Sequence, residues 1–125
     1  MKYKEVIKSL LAAATLAGGL SACTYETIKP KPAEVPTTVS FSANVQPIFN
    51  KTCAAPGCHS KSGYAPDLTT ANAYASLTAY GYIDTDVPNQ SIIYEKIIVG
   101  SMKKYSSDQD AAIILKWIEQ GALNN

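Results

Sequence analysis

At 125 residues with a formal net charge of +1, the chain has room for one domain and shows neither the basic excess of a nucleic-acid binder nor an acidic tail. Composition thus argues against nucleic acid and names no other partner. At the N-terminus Lys2, Lys4 and Lys8 precede an apolar run from Ile7 and Leu10 to Leu20, interrupted only by small residues. This pattern predicts a secretory signal peptide over residues 1–22. The run is shorter than the roughly 20 residues a transmembrane helix needs, so a spanning helix is the weaker reading.

The signal ends in Leu20-Ser21-Ala22-Cys23, which resembles the bacterial lipoprotein box. The resemblance implies that the Cys23 thiol takes a diacylglyceryl group and becomes the first residue of the mature chain. Two acyl chains anchor stably, each buried methylene adding about 0.8 kcal/mol. The competing reading is an ordinary signal peptide with an incidental Cys. Residues 23–40 then read as a lipidated Cys and a tether: Pro30, Pro32 and Pro36 stand among Lys, Glu and Thr without an apolar period. In a Pro-biased extended form at about 3.1 Å per residue, Thr24 to Ser40 reaches on the order of 50 Å. The folded domain is expected over residues 41–125.

Within it the pattern predicts short helices separated by Gly, Pro and Asn. Ser42 is placed to cap a first helix carrying Val45, Ile48 and Phe49, with Pro47 tolerable only close to the first turn. Thr70 is placed to cap a second, from Ala71 to Leu77. Ser91 opens a third with Ile93, Tyr94 and Ile97, ended by Gly100. Ser106 with Gln109, or Ser107 with Asp110, forms a capping box before a stripe of Ile113, Ile114, Trp117 and Ile118, with Gly121 as the stop. No alternating β-branched runs bounded by hairpin turns occur, so the expected fold is all-α, about four short helices. A domain this small buries a modest share of its surface, and a large buried cofactor would help to close its core.

Between the first two helices lies Cys53-Ala54-Ala55-Pro56-Gly57-Cys58-His59. Two thiols followed at once by an imidazole are what covalent c-type haem requires: sulfurs to reach the vinyl groups on one porphyrin edge, and a nitrogen for the iron. The usual motif leaves two residues between the cysteines, whereas four stand here. Pro56 presets one turn dihedral and Gly57 can take a positive φ, so the extra pair can fold back as a local bulge. Three other readings compete. A Cys53–Cys58 disulfide suits an exported protein. A zinc site would need a carboxylate or water as its fourth ligand, because no other Cys or His remains after Cys23. A thioredoxin-type dithiol expects two intervening residues and a strand-to-helix setting.

If His59 takes one axial position, a second His ligand is excluded by count. Met102 is the only Met after the initiator, and its thioether is the candidate for the opposite face; the plain alternative is a gap-filling core Met. At this point the chain resembles single-haem class I cytochromes c, especially lipoprotein cytochromes of Bacteroidota-like bacteria. Four islands carry the likeness: Val45 to Phe49, Cys53 to His59, Pro66-Asp67-Leu68, and Met102 with Trp117 to Ala122. The resemblance implies one haem c. Cys53 and Cys58 are its attachment points, and His59 and Met102 its axial ligands. It also implies that the Pro66 carbonyl accepts a hydrogen bond from His59, that Leu68 touches the porphyrin, and that the first and last helices cross near Phe49 and Trp117. The chain departs from the family at Lys103, where Pro usually follows the ligand Met. That leaves room for a looser Met loop.

The function implied is one-electron transfer between redox proteins of a bacterial cell envelope, by a domain lipid-anchored on the periplasmic or cell-surface side. Thr24 after Cys23 does not look like an inner-membrane retention signal, which favours the outer membrane. No nucleophile, base and orienter set is recognisable, so an enzyme is not expected. Two rivals stand beside this reading. One is diatomic gas binding or sensing at a haem that Met102 does not hold. The other is a haem-free, disulfide-stapled surface lipoprotein.

Overall fold

The computed structural model describes residues 34–125; the expectations for the signal peptide, Cys23 and most of the tether lie outside them. The described residues are all-α, with four helices and no strand. Helix α1 occupies residues 41–53 as three contiguous stretches, a π-helical Phe41–Val45, an α-helical Gln46–Ile48 and a π-helical Phe49–Cys53. Helices α2, α3 and α4 are Ala73–Ala79, Ile92–Ile98 and Asp108–Glu119, with short 3₁₀ turns at Pro88–Gln90 and Lys103–Tyr105. Among the described residues no helix is long and apolar enough to cross a membrane.

Helix α1 departs from expectation at both its start and its proline. The cap is Ser40, not Ser42: the Ser40 hydroxyl accepts from the Ala43 amide, and Asn44 Oδ1 accepts in return from the Ser40 amide at 2.8 Å. Ser42 instead donates, through its amide and its hydroxyl, to the backbone oxygen of Asn125 at 2.9 and 2.8 Å. Asn125 Oδ1 takes the Phe41 amide at 2.8 Å, so the first two donors of α1 are met by a residue remote in sequence. Pro47 lies in the middle of the helix. Its ring would crowd the carbonyl one turn back, and the wider π-helical turns on either side relieve that crowding.

The tether also ends earlier than expected. Val39 is only 2% exposed, its amide donates to Gln120 Oε1 at 2.9 Å, and Gln120 Nε2 donates to the Thr37 carbonyl at 2.7 Å. The last residues assigned to the tether are therefore bound to the end of α4. Helix α2 begins two residues later than predicted, with Asn72 rather than Thr70 at its N-cap position, because Asp67 gathers the preceding turn. Its carboxylate accepts from the Thr69 amide, the Thr69 hydroxyl and Asn72 Nδ2 at 2.9, 2.6 and 2.8 Å.

In α4 the Ser107–Asp110 pair forms the capping box, and Gly121 ends the helix at φ +91°. The buried stripe is Ala111, Ile114, Trp117 and Ile118; Ile113 is only partly buried against the core. Phe41, rather than Phe49, meets Trp117, with ring centroids 5.1 Å apart, and Phe49 joins the group through Phe41 at 6.3 Å. Phe49, Leu77 and Ile114 are at most 1% exposed, each worth about 1.5–3 kcal/mol on burial. This core clamps α1 against α4 and so fixes the C-terminal end of α1, where the site begins.

Candidate functional site

Cys53 is the last residue of α1, and the chain turns back immediately after it. The Cys58 amide donates to the Ala55 carbonyl at 2.9 Å with Pro56 and Gly57 between them, and Gly57 has φ +80°. This is the pattern of a type II turn, with Pro at its second position and Gly at its third. An outer bond, His59 amide to Cys53 carbonyl at 3.0 Å, closes the loop. The two additional residues are thus absorbed as a turn that brings Cys58 back beside the end of α1. Both thiols are free and half-buried.

The imidazole of His59 is fixed from one edge. Its Nδ1 lies 3.0 Å from the Pro66 carbonyl and 3.2 Å from the Tyr64 carbonyl. Carbonyl oxygens only accept, so Nδ1 carries a proton and donates, and in the neutral ring the lone pair then lies on Nε2. The loop that supplies these carbonyls is stitched to the motif: the Tyr64 amide donates to Cys58 O at 2.7 Å and the Leu68 amide to His59 O at 2.8 Å. A Cβ at Gly63 would stand 1.9 Å from that Cys58 oxygen, so the close approach requires glycine.

Met102 is held by a turn built onto the end of α3. Its amide donates to the Lys96 carbonyl and its own carbonyl accepts from the Tyr105 amide, both at 3.0 Å. Ser106 Oγ donates to the Ile97 carbonyl at 3.1 Å, and Lys103 pairs with Asp108 at the start of α4. A Cβ on Gly100 would come within 2.8 Å of the Lys96 Cα, so this turn too needs a glycine. Lys103 therefore does not leave the Met segment unsupported.

Cys53, Cys58, His59, Leu68 and Met102 line one cavity of about 350 Å³, walled elsewhere by apolar side chains including Ile48, Phe49, Ile97 and Ile114. A second cavity of about 340 Å³ shares His59, Leu68 and Met102 and reaches Pro66, so the two adjoin. Burial is the main cause that pushes the Cys53 thiol up, opposed by a hydrogen bond with Thr52 and reinforced by Asp110 and Cys58. Among the described residues no group of three or more His, Cys, Asp or Glu side chains is placed to hold a bare metal ion. The cavity offers two thiols, one imidazole nitrogen and one thioether spread over apolar walls.

Several residues that shape the cavity carry no site signal in the sequence. Ile97 and Ile114 were assigned only to helix cores, yet they also wall the cavity. Tyr64 contributes through its backbone carbonyl, for which a sequence carries no side-chain signal. Gly63, with no special dihedral, is legible only from the contact its Cβ would make. Comparison with protein-family models, curated proteins and solved structures gives no match to this chain.

Proposed function

We propose that the protein is a one-electron carrier holding one c-type haem, joined by thioethers to Cys53 and Cys58 and ligated by His59 and Met102. The observation that carries the reading is the convergence of these four side chains on one apolar cleft, with His59 oriented by two carbonyls. Adjoining cavities of about 350 and 340 Å³ are of the size that holds cofactors, typically ~300–1,000 Å³. The donor chemistry fits as well. Free thiols can add across vinyl groups without an oxidant, an Nδ1-protonated imidazole would offer Nε2 to iron, and the Met102 thioether would serve as a further ligand. When bound, a haem supplies a centre that gains and loses one electron.

The chain's own residues set the terms of that exchange. Pro66 and Tyr64 hold the proton on Nδ1 and so raise the basicity of Nε2. Ile48, Phe49, Ile97 and Ile114 exclude water, and a dry cleft disfavours added positive charge and raises the potential. The hydrogen-bonded turn holds the Met102 segment in place, so its thioether would stay on the iron, which supports electron carriage over gas binding.

The leader and the Leu20 to Cys23 box support a carrier outside the cytoplasm on a lipid anchor, with the outer membrane preferred. Its partners are then redox proteins of the same envelope, met at raised effective concentration. Because Thr37 and Val39 are bound to the domain, the reach is shorter than residues 24–40 would give in full. The test is spectroelectrochemical titration of the full chain from a cytochrome-maturing host, followed by carbon monoxide added to the reduced form. A reversible one-electron transition with slow carbon monoxide binding is expected. Rapid binding would shift the reading to a gas site, and a colourless protein would remove it.

A further inference from the structure

We infer that Gln46 is a positioning residue for the His59 imidazole. Its buried amide holds the Leu68 carbonyl, and with it the segment whose Pro66 carbonyl accepts the His59 Nδ1 proton in a hydrogen bond. The inference rests on the proposal that His59 ligates iron.

Gln46 sits in α1 and is only 4% exposed. Its Nε2 donates to the Leu68 carbonyl at 3.1 Å and to Asn50 Oδ1 at 2.9 Å. Turning the amide over would set Oε1 against the Leu68 carbonyl, which cannot donate, so the orientation is fixed. In that orientation Oε1 is buried and has no hydrogen-bond partner. A leucine would fill the same space without stranding an acceptor. What the amide adds over a leucine is its donated bonds, and only one of them reaches outside α1, to Leu68.

That bond closes a circuit around the ligand. Leu68 accepts from Gln46 through its carbonyl and donates through its amide to the His59 carbonyl at 2.8 Å. Two residues before it, the Pro66 carbonyl faces His59 Nδ1 at 3.0 Å. Residues 66–68 are thus pinned between α1 and His59. Without the Gln46 donor, Pro66 is free to draw back, and Nδ1 is left to share the carbonyl of Tyr64, a residue 75% exposed.

A weaker Nδ1 hydrogen bond makes Nε2 a poorer donor to ferric iron, so the reduction potential rises. General loosening admits water to the cleft and lowers it. The two effects have opposite signs. The experiment compares haem-loaded full-length Gln46→Leu, Asn50→Ala and Ser91→Ala with the wild type. It reads the reduction potential and the hydrogen-exchange rate of His59 Nδ1–H by NMR. Ser91 is buried like Gln46 but its hydroxyl bonds only the Asp84 backbone, and so it reports plain structural loss.

Gln46→Leu is expected to raise the potential and to speed Nδ1–H exchange on the order of tenfold. Asn50→Ala, at an exposed position that removes the other partner of Gln46, should do the same to a smaller extent and carries the test if Gln46→Leu fails to load. Variants that leave both readouts unchanged, or that lower the potential as Ser91→Ala does, overturn the inference while His59 ligation stands. A wild-type chain without haem would overturn ligation and this inference together.

Discussion

Replacing Gly63 by alanine gives the sharpest structural test of the site. The new Cβ would stand 1.9 Å from the Cys58 oxygen and 2.9 Å from its carbonyl carbon, both backbone atoms, so the two strands of the loop must part by about an ångström. That separation breaks the 2.7 Å bond from the Tyr64 amide to Cys58 O and displaces the Tyr64 carbonyl from His59. At roughly 1 kcal/mol for each hydrogen bond, with some strain remaining, the cost is about 2–3 kcal/mol. With a urea m-value of about 1 kcal/mol/M for a domain of this size, the midpoint should fall by about 2–3 M. Gly57→Ala is the control. Gly57 has φ +80° with nothing within 4 Å of a Cβ, so it should cost only the left-handed backbone penalty of about 1–2 kcal/mol. A Gly63→Ala midpoint at or above that of Gly57→Ala would refute this account of the loop.

Four further outcomes follow from other parts of the structure. Met102→Ala should bind carbon monoxide rapidly in the reduced form, as seen by stopped-flow absorbance, while the wild type stays slow; equal rates would remove Met102 from the iron. The hydrogen bonds from Thr69 hold the Asp67 carboxyl below its ordinary value of 3.8, so its contribution to stability is present above that pH and is lost as pH falls below it. Asp67→Asn should therefore flatten acid unfolding below about pH 4, read by circular dichroism. Ser107→Ala removes the capping-box hydroxyl of α4 and should cost about 1 kcal/mol in denaturant titration. In chain made without haem attachment, Cys53 should alkylate more slowly at pH 8 than a free cysteine. Burial raises its pKa and keeps it a thiol, and mass-mapped iodoacetamide labelling checks this.

The sequence revealed most where a local rule acts alone. The Ser107–Asp110 box, the Gly121 stop and the positive φ of Gly57 each depend on a few adjacent residues, and each stands in the structure as read. Expectations failed where a residue outside the helix pattern intervened, whether remote or a few positions away. Ser42 looks like a cap locally, but Asn125 claims it and leaves the cap to Ser40. Thr70 lost its helix start to a turn organised by Asp67, and Val39 was drawn from the tether by Gln120. The helix through Val45, Ile48 and Phe49 is present, but Pro47 lies deeper in it than the first turn, where the π-helical turns on either side accommodate the ring.

The site divides along the same line. Cys53, Cys58 and His59 announce themselves by spacing, and Met102 by being the one Met outside the initiator. Pro66 and Leu68 came through a family likeness rather than from their chemistry. Gln46 lay inside a recognised island but carried no functional signal, since a glutamine on a helix reads as solvent-facing until its burial is known. Gly63 and the Tyr64 carbonyl act through backbone approach, which side-chain patterns do not encode.

The central claim is covalent haem at Cys53 and Cys58, and the intact mass of the denatured full chain from the periplasm of a cytochrome-maturing host tests it most directly. The account predicts one haem mass that survives denaturation, with a c-type visible spectrum, and its loss from a Cys53→Ala, Cys58→Ala double variant. A wild-type chain with no added haem mass, colourless and without free thiols, would contradict it and leave a disulfide-stapled surface lipoprotein.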